Sequence, residues 1–200
     1  MQTLPTRDRE ATRERLLREA ITAFSRDGYA AVTTRAVALG AGVNIATLHY
    51  HFGNKEGLYR AAVDAVYERL RARTVDLLPL LPKLSIAEAM LHLVRAARQE
   101  REAVLLLLRE VLDHGGLTEG TSAAHYLPYV EEASRWLAAH QGVDEERARR
   151  AVVAVSFLLS RFAIQNEASL RSAFGTDTPI NTLIADLLST TLEAQLRSPS

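Results

Sequence analysis

The 200 residues contain no cysteine, so disulfides and thiolate metal sites are excluded and a reducing compartment suits the chain. Net charge is missing too: 24 Lys and Arg balance 24 Asp and Glu, which argues against a chain that is strongly basic throughout. Long apolar runs are also lacking. The longest, such as Ala103–Leu108 and Ala151–Val155, fall far short of the roughly 20 residues that span a bilayer. Met1-Gln2-Thr3-Leu4-Pro5 leads into a charged stretch with no apolar signal core. A cytoplasmic protein with no membrane partner is expected.

What is present is an ordinary globular composition, 48% hydrophobic and 24% charged, on a chain long enough to bury a core. The charge is unevenly placed. Residues 1–60 hold nine Lys or Arg and six Asp or Glu, about +3, and residues 61–200 hold fifteen and eighteen, about −3. That sign suits a first third that meets phosphates.

Nearly every long segment has a helical period. Leu16, Leu17, Ala20, Ile21 and Phe24 form one stripe on a first helix from Arg13 that Asp27-Gly28 ends. Thr33 caps a short helix over Thr34–Leu39, Gly40-Ala41-Gly42 turns, and a third helix runs from Asn44 to His51. Asn54 caps a fourth, Lys55–Arg73, before a Pro-interrupted patch over Leu77–Pro82. Ser85-Ile86-Ala87-Glu88 has the form of a capping box. Helices are expected over 85–98, 101–113 (before Gly115-Gly116) and 122–140, the last with Pro128 near its start or kinking it. One long helix is expected from Asp144 to Ala173, ended by Gly175, and a last one from Thr178-Pro179 to Leu196. No strand or internal repeat is apparent. The expected fold is all-α, with a three-helix amino-terminal domain over 1–53 and a larger helical domain over 54–200.

A helix-turn-helix needs a small residue at the helix crossing, a glycine in the turn and apolar residues locking the pair. Val37, Ala38, Ala41, Gly42, Val43 and Leu48 supply these in order. The second helix of such a unit lays its leading end in the major groove. Here that end carries Asn44, Ile45, Ala46, Thr47, His49 and Tyr50, a polar, small and aromatic surface suited to base edges. Leu48, Phe52, Val43 and Leu58 read as core, and Tyr59 as packing.

The stretch Thr33-Thr34-Arg35, followed by Ala41-Gly42-Val43-Asn44-Ile45-Ala46-Thr47-Leu48-His49-Tyr50-His51-Phe52-Gly53-Asn54-Lys55-Glu56-Gly57-Leu58-Tyr59, resembles the TetR-family signature over about residues 10–66. The resemblance implies phosphate contacts from Thr33, Thr34, Tyr50, His51 and Lys55. It implies base-facing positions at Arg35, Ile45, Ala46, Thr47 and His49. The chemistry agrees, since Arg suits guanine, Thr and Ala suit a thymine methyl, and Lys suits a phosphate. His51 is also readable as a core filler. His49 stands where the family usually has Tyr, so the base read there is open and the contact is pH-sensitive.

Catalytic patterns fail. Gly40-Ala41-Gly42-Val43-Asn44-Ile45 lacks the third small residue and the preceding strand of a dinucleotide fingerprint. His114-Gly115-Gly116 has no companion G-x-S-x-G elbow. His49 and His51, two apart on a helix, point away from each other and cannot share a metal. No enzyme activity, cofactor or metal is expected.

The resemblance further implies that the helices after Asp144 and Thr178 pair across a two-fold axis in a homodimer. It also implies an inducer pocket between the middle helices. Candidate pocket residues are His92, Arg109, His125, Tyr126, Tyr129, Trp136, Phe157, Arg161 and Gln165. Arg161 and Gln165, a turn apart on an apolar helix, suit an intersubunit bond as well as a ligand. Trp136 and the tyrosines also read as plain core. Many Leu, Val and Ala suggest a hydrophobic or amphipathic small-molecule inducer. The expected function is a dimeric, ligand-released repressor on a palindromic double-stranded DNA operator. The alternative is a helical binding or scaffold protein that has lost DNA affinity, which the neutral net charge keeps open.

Overall fold

Apolar residues recurring every three to four positions place helices along almost the whole chain, and a computed structural model bears this out. It describes residues 6–77, 83–114 and 120–197, with side chains placed over 8–73, 83–113 and 124–197. Among these residues ten helices occur and no strand. They are α1 (Thr6–Ala31), α2 (Thr34–Gly40), α3 (Ile45–Phe52), α4 (Lys55–Leu77), α5 (Ile86–Gln99), α6 (Arg101–His114), α7 (Gly120–Gln141), α8 (Glu145–Ala163), α9 (Glu167–Phe174) and α10 (Ile180–Arg197). None is long and apolar enough to cross a membrane among the described residues. The Pro-interrupted patch beyond Leu77 and the Gly115-Gly116 break lie outside the described residues.

One expectation is met and one needs correction. The first helix breaks at Gly28, as the Asp27-Gly28 stop implies. The backbone leaves helical geometry there (φ 78°, ψ 168°) and resumes to Ala31. This redirection brings Tyr29 against Phe24 and Tyr59, with ring centroids 6.1 and 5.0 Å away. The long helix from Asp144 to Ala173 is two helices. α8 ends at Ala163, and Asn166 caps α9 by accepting from the Ser169 amide at 2.8 Å. The break is held from outside: Arg98 donates to the carbonyls of Phe162 (3.1 Å) and Gln165 (3.3 Å), and Arg101 to that of Ile164 (2.9 Å). Guanidinium groups thus satisfy carbonyls that a helix end leaves open. Pro128 lies inside α7.

Burial divides into two cores. The first joins the Leu16–Phe24 stripe of α1 to Val37 and Ala38 of α2, Leu48 of α3, and Leu58, Tyr59, Ala62, Val63 and Val66 of α4. Ala103 and Leu106 of α6 complete it. The second joins α5, α7, α8, α9 and α10 around Val94, Leu137, Ala151, Leu170, Ile184 and Leu188. α6 is also fastened to α1 by polar contacts. Arg109 donates to the carbonyls of Ser25 (2.8 Å) and Arg26 (3.0 Å), and Thr22 donates to Glu102 at 3.0 Å.

Candidate nucleic-acid interface and ligand cavity

Local chemistry sets the pair α2–α3. Thr33 Oγ1 accepts from the Ala36 amide at 3.2 Å, capping α2. Ala38 is 2% exposed at the crossing and Gly42 turns the chain at φ 68°. Asn44 caps α3 by accepting from the Thr47 amide (2.8 Å) and the Thr47 hydroxyl (2.9 Å). Leu48 is fully buried and locks α3 onto the first core.

That lock leaves the leading face of α3 open. Asn44, Ile45, Ala46, His49 and Tyr50 are exposed, Tyr50 at 69%. Arg35 is exposed and Thr34 half-buried on α2. Thr47 is half-buried with its hydroxyl committed to Asn44, so its methyl is the part suited to a base. His49 Nδ1 lies 2.6 Å from the Gly53 carbonyl. A carbonyl only accepts, so Nδ1 carries the proton and donates. Lys55 Nζ donates to the Ala30 carbonyl at 3.1 Å and sits 4.6 Å over the Tyr29 ring, which ties the start of α4 to the end of α1.

The structure adds two cations that the motif did not contain. Arg9 Nη1 donates to the Tyr50 hydroxyl at 3.4 Å, and the Arg13 guanidinium lies 5.6 Å over the Phe52 ring. Their spacing of one turn on the exposed side of α1 was the available signal. His51 lies half-buried between the Tyr50 and Phe52 rings. Burial first, then the charges of Arg9 and Arg13, hold its imidazole below the usual histidine range.

Behind the first core, α4, α5, α6, α7 and α8 enclose a cavity of about 1010 Å³. Of the residues proposed for a pocket, His125, Tyr126, Tyr129 and Phe157 line it. The others do not. His92 is exposed on α5. Arg109 points to the end of α1, where its donors are used. Trp136 packs on the second core and stacks on His140 at 4.0 Å. Arg161 is exposed, and Gln165 lies past the end of α8 with its carbonyl held by Arg98. The cavity is joined to α4 by His125, whose Nε2 donates to Asp64 at 2.9 Å while its ring stacks on Tyr67 at 4.8 Å.

Comparison with known proteins agrees with this arrangement. The profile of "Bacterial regulatory proteins, tetR family" matches residues 16–62, the segment from the α1 stripe to the middle of α4. The HTH-type transcriptional regulatory protein RaaS of Mycobacterium tuberculosis is 32% identical over 133 residues, 60% of this chain; the match spans only 62% of that relative's length. A TetR-like transcriptional regulator from Rhodococcus sp. RHA1 superposes with a TM-score of 0.66 at 20% identity, covering 98% of this chain and 100% of the other. A putative transcriptional regulator from Saccharomonospora viridis, solved in complex with choline, gives 0.64 at 17% identity over 92% and 96%. With its turn-and-cap chemistry and its exposed α3, the chain is similar to TetR-family regulators over residues 16–62 and shares its overall fold with TetR-like structures.

Proposed function

We propose that the chain is a sequence-specific DNA-binding regulator that represses from a palindromic operator as a homodimer and is released by a small hydrophobic or amphipathic ligand. The observation that carries this is the open leading face of α3, which presents Ile45, Ala46, His49 and Tyr50 to solvent while Leu48 anchors its back. Arg35, Ile45, Ala46, Thr47 and His49 meet bases. Thr33, Thr34, Tyr50, His51 and Lys55 hold phosphates, joined by Arg9, and Asn44 stands at the helix end between the two sets. The cavity receives the ligand. α4 and α6, which wall the cavity and also enter the first core, carry the change to the reading helices. A ligand shifts this balance only by its differential affinity for the two arrangements.

The test is a footprint over the promoter regions adjoining the gene, followed by affinity across a salt series. A discrete two-fold-symmetric footprint is expected, with log K falling by about 0.9 per phosphate neutralised for each tenfold rise in salt. Arg35→Ala costs about 1–3 kcal/mol and relaxes one base position, and Tyr50→Ala weakens all sequences alike. No footprint together with a flat salt response returns the chain to the scaffold reading. Unchanged affinity in both variants removes the residue assignment.

A further inference from the structure

The cavity keeps its charges at the mouth. Glu68, Arg71, Arg73, Glu131, Glu132 and Arg135 are the acidic and guanidinium groups of its lining, and all six are solvent-exposed. Arg73 is already paired with Glu100 at 2.6 Å. The remaining wall is largely aliphatic, with Leu93 of α5, Val104 and Leu107 of α6 and Leu159 of α8 among the half-buried or buried contributors. An ionised group carried past the mouth would shed its hydration and meet no opposite charge.

Besides Tyr67 and His125, the latter bonded to Asp64 at 2.9 Å, the uncharged polar side chains on the wall are the hydroxyls of Tyr126, Tyr129, Ser156 and Ser160. Ser156 donates to the Val153 carbonyl at 2.9 Å, so it has no proton left for Tyr126, 3.0 Å away. Tyr126 is therefore the donor in that pair, and its oxygen keeps a lone pair to offer. Ser160 likewise donates to the Phe157 carbonyl at 2.8 Å. Tyr129 is different. It lines the cavity, and its hydroxyl makes no hydrogen bond among the described residues. Burial first, then Tyr126, raises its phenol above the usual tyrosine range, so it stays a neutral donor. It is half-buried on the wall of the cavity. A ligand that displaces water from this hydroxyl must offer it an acceptor, because a donor buried without one is costly.

We infer that the cavity takes an uncharged, mainly apolar molecule bearing a hydroxyl or carbonyl oxygen, which accepts from Tyr129. A ligand hydroxyl can in turn donate to the free lone pairs of Tyr126 or Ser160. This rests on the reading of the cavity as the sensor, and it is testable without DNA. The full chain is loaded with the neutral fluorophore N-phenyl-1-naphthylamine, which is displaced by 1-decanol, decanoate or decyltrimethylammonium below their micelle concentrations. The alcohol is expected to displace at roughly tenfold lower concentration than either ion, because an ion's desolvation is not repaid inside. Tyr129→Phe, checked for unchanged helix content, is expected to weaken decanol about five-fold, the scale of one neutral hydrogen bond, and to leave both ions unaffected. A tighter-binding ion, or decanol binding indifferent to the Phe variant, overturns the ligand class, as does failure of all three to displace. Displacement by decanol without release of the chain from its operator keeps the ligand class and instead overturns the sensor reading.

Discussion

At the scale of single residues, the structure gives His49 a definite chemical character. With Nδ1 donating to the Gly53 carbonyl at 2.6 Å, the neutral ring leaves Nε2 as an acceptor. In the major groove the base groups that donate to such an atom are the amino groups of adenine and cytosine. Selection from a randomised operator at neutral pH should therefore favour A or C at one position per half-site. His49→Phe should flatten that position alone. A preference for G or T there in the native chain contradicts the tautomer. His51 carries a second prediction. Its folded-state pKa lies below the unfolded value, burial being the main cause. Above about pH 6.5 both states are neutral and the native state bears no penalty. As pH falls from there toward the depressed native value, the unfolded chain takes up the proton first and stability declines. The fall in urea midpoint between about pH 7.5 and 5.5 should be smaller in His51→Gln than in the native chain, and parallel curves would refute it. The identities of these residues were legible in the sequence. Their bonding was not, because the Gly53 carbonyl and the Arg9 guanidinium reach them only through the folded turn and the packing of α1.

At the scale of elements, caps and turns were readable because they are local chemistry. The Ser85–Glu88 box forms as its spacing implies, with Ser85 accepting from the Glu88 amide and Glu88 from Ser85. Junctions between elements were read less well. The expected single helix from Asp144 to Ala173 ran through Asn166, which instead caps α9, while Leu170 beyond it still joins the core of α8. What breaks the helix is the pair of guanidinium groups from α5 and α6, which are remote in sequence. Gly28 is the opposite case, a break that the Asp27-Gly28 pair announces. Its φ of 78° with ψ of 168° is open in practice only to glycine, and a Cβ there would meet Arg109 Nη1 at 3.0 Å. Gly28→Ala should thus cost about 1–3 kcal/mol, read as a lowered urea midpoint. Arg109→Ala should also lose stability by freeing the Ser25 and Arg26 carbonyls. Because both act on one joint, the double variant should cost less than the sum of the two. Strict additivity would show that Arg109 does not hold the Gly28 bend.

At the scale of the whole molecule, burial divides into two cores, and two helices of the second keep large apolar side chains exposed. α8 and α10 pack on each other and supply much of the second core. Even so, Leu158 on α8 stays 37% exposed and Leu187 on α10 stays 38% exposed. A second copy related by a two-fold axis would bury this surface and fix two α3 helices at a separation suited to grooves one turn, about 34 Å, apart. Leu187→Glu places a charge on that face without touching the first core or the cavity lining. Sedimentation should show the native chain as a dimer at micromolar concentration and the variant as a monomer of equal helix content. Operator affinity should then fall by about 10²–10⁴, since the second head no longer binds at the effective concentration set by the first. An intact dimer in the variant would move the interface off α10. A monomer with full operator affinity would remove the two-fold operator from the account, because one α3 would then be supplying all the recognition.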